Sequence, residues 1–346
     1  MSHEQPEMKP WRRTPALWRL RTRALTLGRR TLIVGVVNIT PDSFSDGGRF
    51  LDPTAAIAHG ISLLDEGADL LDLGAESTRP GSNAGLRPAA EGSEAGHGLT
   101  TDQEQARLLP VLEGILAARP EAIVSVDTYK AATARAACLA GAEIANDVSG
   151  FHWDADMAEA CAGAGCGVVL MHTRGRPDEW RTQAQLSPDE LLGSVQAGLQ
   201  ASLARAEAAG IRLEAVVLDP GYGFGKRLDE NYTLLARQAE LLQLGRPLLA
   251  GLSRKSFLAR TLAPLYAGRD APLDARETAS VAALVTAILH GASLVRVHSV
   301  RMAAEAARIA DAVLTGTQQR VANVDSSEID PPGAKALLIS GALRHD

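Results

Sequence analysis

The chain has 346 residues, 46% hydrophobic and 22% charged, which is globular composition with length for a large core. Its net charge of −6 argues against a general nucleic-acid binder, which carries a basic face, and no apolar run approaches the roughly 20 residues that span a bilayer. Cys138, Cys161 and Cys166 form no C-x-x-C pair and read as free, inert thiols of a reducing compartment, not as a disulfide frame or zinc site.

Residues 1–24 carry Arg12, Arg13, Arg19, Arg21 and Arg23 but no apolar signal segment. They are expected to be a flexible, solvated arm, and the protein is expected in the cytoplasm. Apolar, β-type runs then follow at 31–37, 69–73, 122–126, 143–146, 166–171, 214–218, 247–252 and 294–298. Helical segments separate them. Asp52-Pro53 reads as an N-cap with proline at the first helical position, and Thr101-x-x-Glu104 as a capping box. The long Ala/Leu stretch after Pro188 ends at Gly210. Continuous apolar runs are the mark of strands buried on both faces in a parallel sheet. Eight β-then-α units predict a closed (β/α)8 TIM barrel over 25–315 as a single domain, with a doubly wound open sheet as the competing architecture. The Gly/Ala/Ser-rich stretch 81–100 reads as a mobile insert, and the pattern fades over 316–346.

Chemistry in such a barrel sits at the C-terminal mouths of the strands. Here every mouth is polar: Asn38; Glu76 to Arg79; Asp127; Asn146 and Asp147; Met171, His172 and Arg174; Asp219 and Lys226; Ser253 to Ser256; Arg296 and His298. A single Asp after a strand is usually a helix cap, but eight polar mouths are more than capping needs. Asp127, Asp219 and Asn146 with Lys255 suit a flat heterocycle with an N–H/NH2 edge, because a carboxylate accepts two parallel hydrogen bonds. Arg79, Arg296 and His298 suit a phosphate ester. Asn38 offers one oxygen to Mg2+, an ion usually held by few protein ligands plus substrate phosphate. By contrast, Gly221, Gly223 and Gly225 read equally well as turn residues, Lys226 as a solvated lysine and His172 as structural.

The segments "NITPDSFSDGG", "ESTRPG", "SVDTYK", "NDVSG", "LMHTRG", "DPGYGFGK", "GLSRKS" and "RVH" occur in the order and spacing of one family. From about Leu25 to Leu314 the chain resembles the dihydropteroate synthases of the pterin-binding barrel superfamily. The resemblance implies condensation of (7,8-dihydropterin-6-yl)methyl diphosphate with 4-aminobenzoate to 7,8-dihydropteroate and diphosphate, an SN1-like step of folate biosynthesis that sulfonamides target. It implies Mg2+ on Asn38, and pterin diphosphate on Thr78, Asp127, Asn146, Met171, Asp219, Phe224, Lys255, Arg296, Val297 and His298. Of these, Asp127, Lys255, Arg296 and His298 would be catalytic. It implies 4-aminobenzoate on Phe44, Thr78, Arg79, Pro80 and Ser256, a lid carrying Asp42, Phe44 and Asp46, and a homodimer. Three departures stand out: Ala75 for a usual glycine, Ser299 for a usual Asp beside His298, and the long insert. A corrinoid-linked pterin methyltransferase or a catalytically silent pterin-binding paralogue would share the pterin contacts but would not need Arg79 and Ser256.

Overall fold

Each of the eight apolar runs forms a strand, with ends within two residues of those expected. The computed structural model describes residues 14–40, 53–77 and 98–327. Strands β3 (Leu32–Asn38), β4 (Leu70–Gly74), β5 (Val124–Asp127), β6 (Ile144–Asp147), β7 (Gly167–Met171), β8 (Val216–Asp219), β9 (Leu248–Ala250) and β10 (Ala292–Val297) close into one barrel in that order. All eight pairings are parallel, including β10 back onto β3. The open-sheet alternative is thereby excluded. The principal intervening helices are α1 (Pro53–Asp65), α2 (Thr101–Ala118), α3 (Ala131–Leu139), α4 (Met157–Ala164), α5 (Pro188–Ala208), α6 (Leu228–Ala236), α7 (Ser256–Thr261) and α8 (Glu277–Leu289); α9 (Val300–Ser327) follows β10 and runs past residue 315.

The N-terminal expectation needs correction. Residues 14–24 are not a free arm: β1 (Ala16–Arg19) and β2 (Ala24–Leu27) form an antiparallel hairpin. Trp18, Leu20 and Leu27 are buried against Leu32, Val34, Leu70, Ile144, Val169, Val217, Leu249 and Leu294, the inward residues of the strands' lower halves. The Trp18 indole N–H donates to the Ala215 carbonyl at 2.9 Å. Arg21 donates to the Ala142 carbonyl and Arg23 pairs with Glu143, so the basic residues are anchors of the hairpin. The alternation of outward arginines with inward Trp18 and Leu20 carried this signal. Trp18→Ala is expected to destabilise the fold by about 3–5 kcal/mol. Chemical denaturation would read this as a lowered midpoint, and an unchanged midpoint would contradict the plug.

The capping box of α2 is shifted by one residue. Thr100 and Gln103 make it, with the Thr100 hydroxyl accepting from the Gln103 N–H at 3.2 Å and the Gln103 side chain accepting from the Thr100 N–H at 3.1 Å. Glu104 is instead fully buried, where it meets Lys130 and Thr133. Asp52 lies outside the described residues.

Candidate active site

Barrel register sets the first level of the site. Asn38 is paired with Gly74, Gly74 with Asp127, and Asp127 with Asn146 across four adjacent strands. On the far side Met171 is level with Asp219. A Cβ at Gly74 would lie 3.5 Å from the Cβ of Asp127. Above the dry lower half of the barrel, the interior therefore turns polar within one strand length.

A residue not anticipated from the sequence organises this layer. Asp72, in the middle of β4, is wholly buried. Its Oδ1 accepts from the Ser125 hydroxyl at 2.7 Å; its Oδ2 accepts from Asn146 Nδ2 at 3.0 Å and from Arg296 Nε at 2.6 Å. Arg296 Nη2 donates to Asp127 Oδ2 at 2.9 Å. One guanidinium thus bridges two carboxylates, with about a fifth of its side chain still exposed. Burial works against the charge of Arg296, but Asp72 and Asp127 hold its pKa above the usual value. Burial pushes the Asp127 carboxyl up to about 7; Arg296 opposes this, while Asp72, Glu104 and Asp147 add to it. Asp219 is also raised by burial, against a 2.7 Å hydrogen bond from the Gly221 N–H to its Oδ1 and the nearby charges of Lys255, Lys226 and Arg296. Asp72, Asp127 and Asp219 thus lie among three cations, Arg296, Lys226 and Lys255.

The β8–α6 loop forms one wall. Gly221 has φ 70°, and a Cβ there would collide with the His172 carbonyl oxygen, so only glycine fits. Phe224 packs edge-on against Trp180, with ring centroids 5.2 Å apart, and the Lys255 ammonium sits 4.2 Å from the Phe224 ring centre. Lys226 is not solvated as expected. It is buried, and its ammonium donates to the carbonyls of Gly221 at 2.7 Å and of His172 and Phe224 at 3.3 Å. Burial pushes its pKa down to about 7, with Asp219 opposing.

Lys255 follows Arg254, a non-glycine residue at φ 58°. Such a conformation costs about 1–3 kcal/mol and persists only where its surroundings enforce it. Here the Arg254 N–H donates to Ser280, and its side chain reaches Glu277 and Ser299. Ser299, which stands where the family usually has Asp, accepts from Arg254 at 3.3 Å. His298 Nδ1 pairs with the Ser253 hydroxyl at 3.0 Å. Ser256 is exposed at the start of α7, Met171 and Val297 are buried, and Asn38 is half-buried at the end of β3.

Other polar mouths serve the scaffold. Asp147 is buried and accepts from the Ser149 and Phe151 N–H groups at 2.7 and 2.8 Å. Glu76 accepts from Lys130, Tyr129 and the Leu99 N–H. Arg174 pairs with Glu230. His172 is buried, and burial lowers its pKa well below the usual value. The three cysteines are buried and free. Ala75 is buried. Among the described residues no cluster of three or more His, Cys, Asp or Glu could hold a metal. Asp42, Phe44, Asp46, Thr78, Arg79 and Pro80 lie outside the described residues, as does most of the 81–100 insert.

Residues 34–298 match the family of pterin binding enzymes. The chain is 42% identical over 284 residues to the dihydropteroate synthase of Mycobacterium leprae, covering 82% of this chain and 93% of that protein. The chain belongs to the dihydropteroate synthase family. A solved dihydropteroate synthase from Xanthomonas albilineans with 4-aminobenzoic acid superposes with a TM-score of 0.73 at 38% identity, covering 87% of this chain and 98% of that one. Another from the same organism, in complex with 7,8-dihydropteroate, gives 0.68 at 37%, covering 84% and 96%. Within this family the polar mouth described above is the candidate active site, and among the described residues no helix is long and apolar enough to cross a membrane.

Proposed function

We infer that the chain is a transferase of folate biosynthesis that condenses (7,8-dihydropterin-6-yl)methyl diphosphate with 4-aminobenzoate, giving 7,8-dihydropteroate and diphosphate. The observation that carries the reading is the acceptor-lined mouth. Asp127, Asp219 and Asn146 sit around it, each with a side-chain oxygen that no described residue occupies and that is not sealed from solvent. Those oxygens match the N–H and amino groups of a pterin.

In this reading Asp127, Asn146 and Asp219 bind the pterin ring edge, while Met171, Phe224 and Val297 line its pocket. Lys255, stacked on Phe224, joins the ring subsite to the diphosphate subsite of Thr78, Arg296 and His298. The Ser253 hydroxyl holds the His298 ring. 4-Aminobenzoate would lie against Phe44, Thr78, Arg79 and Pro80, with its carboxylate on Ser256. The residues also fit the expected metal: a lone amide oxygen at a strand end suits a cation that keeps water and substrate phosphate as its other ligands. Asn38 would hold Mg2+, which when bound would neutralise charge on the leaving diphosphate.

The reaction breaks the bond from the pterin methylene carbon to the diphosphate oxygen, and the electron pair leaves with diphosphate. Arg296 and His298 would stabilise that negative charge. The pterinylmethyl cation would be stabilised by its own ring and by Asp127 and Asp219. The aniline nitrogen then forms the carbon–nitrogen bond and sheds a proton to solvent. A neutral aniline needs no strong base, which accounts for the lack of a Ser/His/Asp arrangement at the described mouths. A lid of residues 42–46 would exclude water from the cation.

An assay of diphosphate release with the pterin diphosphate, Mg2+ and 4-aminobenzoate tests the reading. Release no faster than without 4-aminobenzoate would overturn it. Lys255→Ala is expected to raise KM for the pterin diphosphate about tenfold or more. Arg79→Ala is expected to act mainly on KM for 4-aminobenzoate; unchanged constants in either variant would remove that assignment. A cytoplasmic homodimer is part of the same proposal. Met302, Ile309 and Val313, exposed on one stripe of α9, supply an apolar surface for it. Sedimentation as a monomer at micromolar concentration would rule it out.

A further inference from the structure

We propose that Asp72 is a positioning residue of this site: its carboxylate locks the Asn146 amide with Oδ1 toward the cleft and holds the Arg296 guanidinium by Nε. The proposal rests on the pterin reading of the cleft. Asp72 is fully buried, and its two oxygens meet Ser125, Asn146 and Arg296 and nothing else among the described residues.

Donor and acceptor capacity decides the orientation. A carboxylate beside a guanidinium only accepts hydrogen bonds, so the amide of Asn146 must turn its NH2 to Asp72. The amide is planar, so its oxygen then faces away. No described residue donates to that oxygen, and it is not sealed from solvent. Asp72 therefore fixes the polarity that Asn146 shows to a ligand: acceptor, never donor. Through Nε it also fixes the rotation of Arg296, leaving Nη2 on Asp127. An unlocked Asn146 could present its NH2 group, which repels the N–H edge of a pterin.

Asp72 also has an electrostatic signature. The charged groups facing Asp127 are Arg296, Asp72, Glu104 and Asp147, and Asp72 is one of those raising its pKa. Removing the Asp72 charge lets Asp127 ionise at lower pH.

The experiment compares wild type with Asp72→Asn, Ser125→Ala and the exchange variant Asp72→Asn/Asn146→Asp. Affinity for 6-hydroxymethylpterin is measured by titration calorimetry, and both KM values and the pH profile by diphosphate release. In Asp72→Asn, pterin affinity and KM for the pterin diphosphate should worsen about tenfold or more, as for loss of a charge-assisted hydrogen bond. KM for 4-aminobenzoate should stay within about threefold, and the acid limb of the pH profile should move down. Ser125→Ala should lose less, in the same direction. The exchange variant restores an acceptor to the cleft, because the carboxylate at position 146 can only accept; the amide nitrogen that would donate to it takes the place of the oxygen bonded to Arg296 Nε, so Arg296 loses that hold and only part of the pterin affinity should recover. Unchanged pterin affinity in Asp72→Asn, or equal loss for both substrates with an unmoved acid limb, would overturn the proposal. If Asp72→Asn does not fold, the other two decide: no loss in Ser125→Ala together with no pterin binding in a folded exchange variant would also overturn it. An inactive wild type that still binds the pterin would count against the synthase reading and not against Asp72.

Discussion

Asp127→Asn is expected to lower kcat/KM by about 10²–10³-fold, the usual loss when a preorganised group facing developing charge is removed. Asn keeps the shape and one acceptor oxygen but loses the negative charge facing the cleft. Arg296 also loses one of its two carboxylates. The wild-type pH profile tests the same residue. Its carboxyl is raised from an ordinary value of 3.8 to about 7, so activity that needs the carboxylate should fall as pH drops through 7. Stability should move the other way. A carboxyl with a raised folded-state pKa binds its proton more tightly when folded, so its contribution is fully present below 3.8 and is lost as pH rises through about 7. Activity lost near pH 6 with an undiminished melting temperature would mark a titrating group in the site. An acid limb that persists unchanged in Asp127→Asn would assign it elsewhere.

Lys226→Met should cost both stability and pterin affinity, although the side chain lies behind the wall of the site. Methionine matches the stem in length, but it removes the ammonium donor from the carbonyls of His172, Gly221 and Phe224, of which Gly221 and Phe224 keep only the N–H groups of Phe224 at 3.2 Å and Arg174 at 3.4 Å. An orphaned buried carbonyl costs about 1–3 kcal/mol, and only that of His172 is left with no other donor among the described residues, so a net destabilisation of about 1–3 kcal/mol is expected. Because those carbonyls tie β7 to the loop bearing Phe224, pterin affinity should fall with stability. The pH dependence has a definite sign. The lysine's folded-state pKa is lowered to about 7 from 10.5, so between those values the unfolded chain holds the extra proton and wild-type stability rises with pH. Denaturant titrations at pH 7 and 9 should show this rise in wild type and lose it in Lys226→Met. Full stability and pterin affinity in the variant would refute the role.

The barrel was legible in the sequence because parallel strands buried on both faces are apolar throughout, and "LIVGVV" or "VVL" admits little else. Asp127, Asn146 and Asp219 were legible because each ends such a run. Asp72 was not, since it interrupts β4 and register alone brings Ser125 beside it. The available signal was a lone carboxylate inside a buried strand, which must be paired. Lys226 was hidden because lysine is ordinarily solvated; its burial follows from a loop whose carbonyls turn inward. Trp18 was hidden by the arginines around it, and the contact of Ser299 with Arg254 joins two strand mouths that lie far apart in sequence.

The barrel interior changes within one strand length from the hydrocarbon packing around Trp18 to the ionic layer around Asp72. This gradient makes the molecule modular for directed evolution. Substitutions in the lower layer can raise tolerance to heat without redrawing the pocket, and that added stability can offset strained or charged changes at the mouth. Libraries built on one end should therefore combine with libraries built on the other nearly additively, because no described side chain is shared between the two layers.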